Sequence, residues 1–341
     1  MADKKQQRPS SGKSRKSGAK PFEQFMKKKG TQEESSPSRG GGFSKKNTQR
    51  SAPKAKPKAH GSQEHAEAPS YNFAKIRQIE KEQQTADQLD KKRDGIRLNK
   101  YISNSGVCSR READKLIEQG EITVNNEVVK ELGYKVKGKD LVRYKGRVLK
   151  REKLFYVLLN KPAGFITTTK DPKERKTVMN LVKNACEERI YPVGRLDRAT
   201  TGLLLFTNDG EFAKKMAHPS NETQKVYYVE LNKPLSEEDE YTIRMREFEL
   251  EDGPVDLDGL SVNAEDRRQI GIELHSGRNR IVRRIFEHFN YTVVKLDRTV
   301  LGGLTKKDLP RGKWRYLDEQ ELINLKYLDK GSRSSKKKKK R

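Results

Sequence analysis

The stretch Val193-Gly194-Arg195-Leu196-Asp197-Arg198-Ala199-Thr200-Thr201-Gly202-Leu203-Leu204-Leu205-Phe206 constrains this chain more than any other. One carboxylate, flanked by two arginines, stands just before an apolar run. Leu203 to Phe206 reads as a buried strand, a short apolar run with no polar alternation. Gly202 lets the backbone turn, or approach another backbone where a side chain would obstruct it. Asp197 is therefore expected in a polar loop pinned against the core, where a rigid scaffold can present a functional group. An isolated loop Asp more often caps a turn or pairs with a neighbouring Arg195 or Arg198. The surrounding string has to decide between these readings.

Charge narrows the partner. The chain of 341 residues carries a formal +27, unevenly spread. Residues 1–95 hold 23 basic and 11 acidic side chains, or +12, and residues 331–341 hold seven basic ones and no acid. The middle keeps +8. A polyanion is the natural partner, and nucleic acid fits better than a membrane. No apolar run approaches the roughly 18 residues of a transmembrane span, and Met1 to Lys20 has no apolar h-region of a secretory signal. Cys108 and Cys186 lie far apart, which gives neither a disulfide framework nor a zinc-ligand spacing. The expectation is a cytoplasmic monomer without membrane association.

Residues 1–95 read as a disordered basic arm, because Lys, Ser, Gly, Pro and Gln offer too little apolar surface to offset ordering entropy. Residues 71–94 have a transient helical pattern, with too few apolar positions to predict docking. Order is expected from Ile96. Leu98, Tyr101 and Ile102 recur at helical spacing. Ser109-Arg110-Arg111-Glu112 reads as a capping box, with Ala113, Leu116 and Ile117 on the inner face of a second helix that Gly120 ends. Ile122 and Val124 alternate as a strand, and Asn125-Asn126 turns the chain. Lys100, Arg110, Arg111 and Lys115 stay outside the apolar stripes.

A second domain is expected over 153–326, opening with the buried strand Leu154 to Leu159. Asn160-Lys161-Pro162-Ala163-Gly164 forces a tight turn that leaves Lys161 exposed. Later, Lys225-Val226-Tyr227-Tyr228-Val229-Glu230-Leu231 alternates, with Tyr227 and Tyr228 on opposite faces. Gln269 to Leu274 is a strand, followed by His275-Ser276-Gly277-Arg278-Asn279-Arg280-Ile281-Val282-Arg283-Arg284-Ile285-Phe286. From Asn279, positions 281, 282, 285, 286 and 289 make one helical face. At about 100° per residue, Arg283 falls at the edge of that face and Arg280 and Arg284 point further out. Residues 327–341 form a basic tail.

Two resemblances follow. Arg97-Leu98-Asn99-Lys100-Tyr101, Ser109 to Ala113 and Val124-Asn125-Asn126 resemble the S4 RNA-binding domain, placed over 96–149. The string around Asp197 resembles the signature of the pseudouridine synthases, in the branch of the bacterial rRNA enzymes. Lys161-Pro162-Ala163-Gly164, Lys225-Val226-Tyr227 and Gly277 to Arg283 match further motifs of that family in order. The resemblance implies an α+β fold: a small S4 helix–helix–strand domain, then a synthase domain with a mixed, largely antiparallel sheet flanked by helices. It implies isomerisation of uridine to pseudouridine in ribosomal RNA without cofactor or metal. The 23S RNA or a large-subunit assembly intermediate is favoured, with 16S RNA as the alternative substrate.

The family's nucleophile maps to Asp197, its active-site tyrosine to Tyr227 and the partner of the carboxylate to Arg283. Arg195 matches the residue that enters the space left by a flipped base. Lys100, Arg110, Arg111, Lys115, Lys161, Arg278, Arg280 and Arg284 are expected on RNA. The competing class is a non-catalytic S4-type assembly factor, which has no need for Asp197, Tyr227 and Arg283 together.

Overall fold

The structure, a computed structural model, describes residues 69, 71–74, 78 and 95–327. The expected disordered arm, for the most part, and the lysine tail lie outside the described residues. Among the described residues, no helix is long and apolar enough to cross a membrane.

The first ordered unit begins with β1 (Ile96–Arg97), α1 (Leu98–Asn104) and α2 (Arg110–Glu118). Ser109 caps α2 as expected: its backbone N–H donates to Glu112 at 2.9 Å, and the Glu112 N–H donates back to the Ser109 hydroxyl at 3.3 Å. Gly120 then takes the left-handed conformation that ends the helix, φ +75°. Strands β2 (Ile122–Val124) and β3 (Glu127–Val128) follow, joined by Asn125 and Asn126. Both asparagines have positive φ, 53° and 73°, as a tight hairpin turn demands. β4 (Lys135–Val136) pairs with β1. β5 (Val142–Tyr144) and β6 (Arg147–Val148) complete a four-stranded sheet in the order β3-β2-β5-β6. Leu98, Ile102, Ala113, Ile117, Ile122 and Val142 form its core.

The second unit is built on one nine-stranded sheet. Its strands are β7 (Tyr156–Lys161), β8 (Tyr191–Val193), β9 (Thr201–Thr207), β10 (Lys225–Leu231), β13 (Leu257–Val262), β14 (Gln269–Leu274), β15 (Val293–Leu301), β16 (Leu304–Thr305) and β17 (Trp314–Tyr316). A separate hairpin, β11 (Glu249–Leu250) with β12 (Gly253–Pro254), stands between β10 and β13 in sequence. The main path runs β13-β14-β10-β15-β9-β7-β17, with β8 on β9 and β16 on β15. Every pairing is antiparallel except β9 with β15. The mixed, largely antiparallel sheet is thus present.

Both faces of the central strands are covered, which is why they read as unbroken apolar runs. Leu204 and Phe206 of β9 enter one core cluster, with Val157 and Leu159 of β7. Leu203 and Leu205 enter the other, with Tyr156 and Leu158. Helices α3 (Met179–Val182), α4 (Gly210–Ala217), α5 (Glu237–Met245), α6 (Ile281–His288) and α7 (Glu319–Tyr327) flank the sheet. Gly202 sits at the parallel junction, paired with Arg298 and with φ +108°. A Cβ at that position would collide with the Arg298 backbone, so the close approach inferred for this glycine is real.

One contact departs from the expected arm. Tyr71 is buried at 6% exposure, and its hydroxyl donates to the Leu317 carbonyl at 2.9 Å. Its ring meets Tyr156 edge-on at 5.6 Å. Periodicity cannot register a single anchor of this kind, because one aromatic filling one slot makes no pattern. Tyr71→Ala is expected to cost roughly 3 kcal/mol in urea unfolding, and Tyr71→Phe about 1 kcal/mol. An alanine variant as stable as wild type would show that the contact does not hold in solution.

Candidate active site

The Asp197 loop is fixed by its backbone. Gly194 turns the chain out of β8 with φ +77°, and Leu196 inserts into the core. The Thr167 hydroxyl donates to the Leu196 carbonyl at 2.7 Å. The Thr200 N–H donates to the Asp197 carbonyl at 3.1 Å, closing the turn before β9. The Asp197 side chain remains 44% exposed at the mouth of a cleft.

Lys161 supplies the strongest of these restraints, and it corrects an expectation. It was read as exposed and available to RNA, but its side chain is fully buried. Its Nζ donates to the carbonyls of Thr200 at 2.7 Å, Asp197 at 3.0 Å, Pro162 at 3.2 Å and Arg198 at 3.4 Å. Burial lowers the ammonium's pKa to about 8, with the Asp197 charge opposing. Pro162 and Gly164 do turn the chain, but Lys161 is the last residue of β7 and points inward beneath the Asp197 loop. A turn motif says where the backbone reverses and not which way the preceding side chain faces.

The cleft behind Asp197 is lined by Arg195, Tyr227, His275, Arg278, Arg280 and Arg298, among others. Tyr227 is buried and belongs to this wall, in line with the alternation of β10. Tyr228 lies on the other face, where burial raises its hydroxyl to about 12. Lys225, two residues before Tyr227, also lines the cleft, and its Nζ donates to the His275 and Thr223 carbonyls at 2.7 and 3.0 Å. His275 Nδ1 stands 2.5 Å from Asp258 Oδ2.

The arginines after β14 depart from expectation. Arg280 Nη1 lies 3.8 Å from Asp197 Oδ2, and its Nη2 donates to Glu287 at 2.9 Å. Arg283, expected to pair with Asp197, instead donates from Nη1 to the Val293 carbonyl at 2.8 Å. Burial, and then the Arg280 charge, lowers the pKa of the half-buried Arg283 guanidinium, with Asp197 pulling the other way. The helical wheel failed at one residue. α6 starts at Ile281, and Arg280 caps it in a left-handed conformation, φ 48°, so its side chain leaves the wheel and turns to the cleft.

Arg278 and Arg284 are engaged within the protein. Arg284 forks onto Asp252 at 2.6 and 2.9 Å. Arg278 holds Asp252, Gly253 and Pro254 through both terminal nitrogens. Together they fasten the β11–β12 hairpin. Of the basic residues in the first unit, Arg110, Arg111 and Lys115 are exposed, as expected. Lys100 is committed to Glu211 of α4, at 2.7 Å. Arg298 and the Asp258–His275 pair were not anticipated, and Lys225 entered only as part of the motif around Tyr227. The available signal was a cation within an apolar strand face, as at Arg298 between Leu296 and Leu301.

Comparison with known proteins decides the family. A family model described as RNA pseudouridylate synthase matches residues 155–288, and an S4 domain model matches residues 96–142. The chain is 42% identical to ribosomal large subunit pseudouridine synthase B of Bacillus subtilis, over 68% of this chain and 96% of that protein. The chain belongs to the RNA pseudouridylate synthase family. It is also similar to an uncharacterized RNA pseudouridine synthase of Aquifex aeolicus, 39% identical over 67% of this chain and 93% of that one. Against the dual-specificity RNA pseudouridine synthase RluF of Escherichia coli it is 38% identical, over 70% of this chain and 81% of that one. As a pseudouridine synthase it is an isomerase, and the cleft holding Asp197 and Tyr227 falls mainly within the matched synthase segment.

Proposed function

We propose that this synthase converts a uridine of ribosomal RNA, 23S rather than 16S, to pseudouridine, acting on free RNA or on a large-subunit assembly intermediate. The observation that carries the reading is Asp197, a half-exposed carboxylate on a backbone-pinned loop, facing a cleft that contains Tyr227 and Arg280. The names of the Bacillus and Escherichia relatives support the RNA class, and the first of them supports the large subunit.

The reaction breaks the N-glycosidic bond, turns the uracil, and joins its C5 to C1′ of the ribose. The electron pair of the broken bond leaves with the base, and at the end the proton on C5 is lost while N1 takes one up, so the product is an isomer and no redox change occurs. Asp197 is the group assigned to the sugar. A covalent bond to C1′ and a glycal route with proton loss from C2′ both need this carboxylate ionised and aimed. Arg280 and Arg283 keep positive charge beside it. Tyr227, in the cleft wall, is assigned to stack on the base or relay a proton. A base inside structured RNA must leave its stack to reach the cleft, and Arg195, at the rim, is assigned to the vacated space. Arg110, Arg111 and Lys115 are assigned to the RNA backbone.

Pseudouridine mapping on unmodified 23S and 16S RNA, by carbodiimide-dependent reverse-transcription stops, tests this. One new stop in 23S RNA is the expected result. Tight binding with no stop on either RNA or on precursor particles would favour the non-catalytic assembly factor.

A further inference from the structure

At the floor of the same cleft lies Arg298, a charged side chain at 4% exposure that the mechanism above leaves unused. Its Nε donates to the Leu203 carbonyl at 2.7 Å, which fixes the plane of the guanidinium. Its Nη2 is buried and finds no hydrogen-bond partner among the described residues. The neighbouring Asp297 does not serve it, because that carboxylate takes Lys306, Arg311 and the Thr201 hydroxyl. Arg278, Arg283 and Arg284, by contrast, all donate to protein acceptors.

A buried N–H without a partner is costly, and a native fold that keeps one has a reason to do so. Three features point to the reason. Arg298 is the register partner of Tyr227 across β10 and β15, so both belong to one level of the cleft. It is followed in that wall by a second cation, Lys225, whose pKa is lowered to about 8 by burial first and then by the Arg298 charge. The floor therefore carries two cations, Arg298 buried and Lys225 half-buried, with the Asp258 charge opposing at Lys225. Arg195 and Arg280, by contrast, are exposed at the rim, open to the backbone of an RNA strand. A flipped base is the part of such a strand that would enter a cleft of this kind.

We propose that Arg298 binds a carbonyl oxygen of the flipped uracil and holds the negative charge that the base acquires when its bond to ribose breaks. The inference rests on the function proposed above. The electron pair of the C1′–N1 bond spreads onto the ring carbonyl oxygens, where a fixed guanidinium in a site sheltered from water stabilises it most. Arg298 keeps its protons throughout, and the charge is discharged when C5 bonds to C1′ and later loses its proton.

The test uses the full chain in single turnover on RNA carrying uridine or 5-fluorouridine at the mapped site. Fluorine withdraws electrons and eases departure of the base. Arg298→Met and Arg298→Gln are expected to slow consumption of uridine by roughly 10²-fold or more, with RNA affinity within a few-fold. The loss should shrink by about tenfold or more on 5-fluorouridine if charge on the base is what Arg298 holds. Equal losses on the two substrates, a loss confined to RNA affinity, or no loss would each overturn the proposal. Should both variants fail to fold, wild type decides with 2-thiouridine and 4-thiouridine, since sulfur accepts hydrogen bonds poorly. One of the two is expected to react at least about tenfold more slowly, and equal rates with uridine would overturn it. A wild type that modifies no RNA would remove the proposed function and this inference with it, whereas an active wild type with indifferent variants removes the inference alone.

Discussion

Asp197→Asn is expected to lower pseudouridine formation by roughly 10³-fold or more, equivalent to about 4 kcal/mol of lost transition-state stabilisation. The amide keeps the shape of the carboxylate and removes the charge and the nucleophilic oxygen. Structure should be spared. The restraints on this loop run through the carbonyls of Leu196, Asp197 and Thr200, which the substitution leaves in place. The side chain itself is half-exposed, so unfolding stability should stay within about 0.5 kcal/mol of wild type. RNA binding should also hold, because most of the basic surface is elsewhere. Single-turnover rates, filter binding and urea unfolding on one preparation separate the three effects. An Asn variant that modifies RNA at the wild-type rate would move the chemistry away from Asp197.

The fold was legible where pattern reports directly on geometry. The capping box at Ser109 and Glu112 is a local hydrogen-bond exchange, and the residue types suffice to predict it. The buried run Leu203 to Phe206 and the close approach at Gly202 follow from sterics and the absence of polar alternation. Alternation also separated Tyr227 from Tyr228. Cations were harder. A sequence records that an arginine is present and not whether its partner is RNA or the protein itself. Arg278 and Arg284 pair with Asp252 and its neighbours, across a distance in sequence that no periodicity marks. Arg280 escaped the helical wheel because one positive φ at the cap redirects a side chain. Lys161 and Arg298 were missed for a common reason. Each is a buried charge bonded to main-chain carbonyls, and carbonyl positions depend on tertiary structure.

Lys161→Met should affect both stability and rate. The thioether fills the same channel but offers no donor to the carbonyls of Pro162, Asp197, Arg198 and Thr200. The Asp197 loop then loses its anchor from below, and a displacement near 1 Å at a reacting group costs about 10²-fold in rate. Modification is therefore expected to fall by that order while RNA affinity is kept. The pH dependence identifies the cause. Folding lowers the pKa of Lys161 to about 8 from its ordinary 10.5. Between those values the unfolded chain binds the proton and the folded chain does not, so this group's contribution to stability rises with pH. The penalty for burying the charge is fully present below pH 8 and is relieved as pH climbs toward 10.5. The stability advantage of wild type over the Met variant should thus widen between pH 7 and pH 9.5, by roughly 2 kcal/mol in paired urea titrations. Other titrating groups are shared by both proteins and cancel in the difference. A constant advantage across that range would mean that Lys161 keeps its ordinary pKa, its charge held by the four carbonyls.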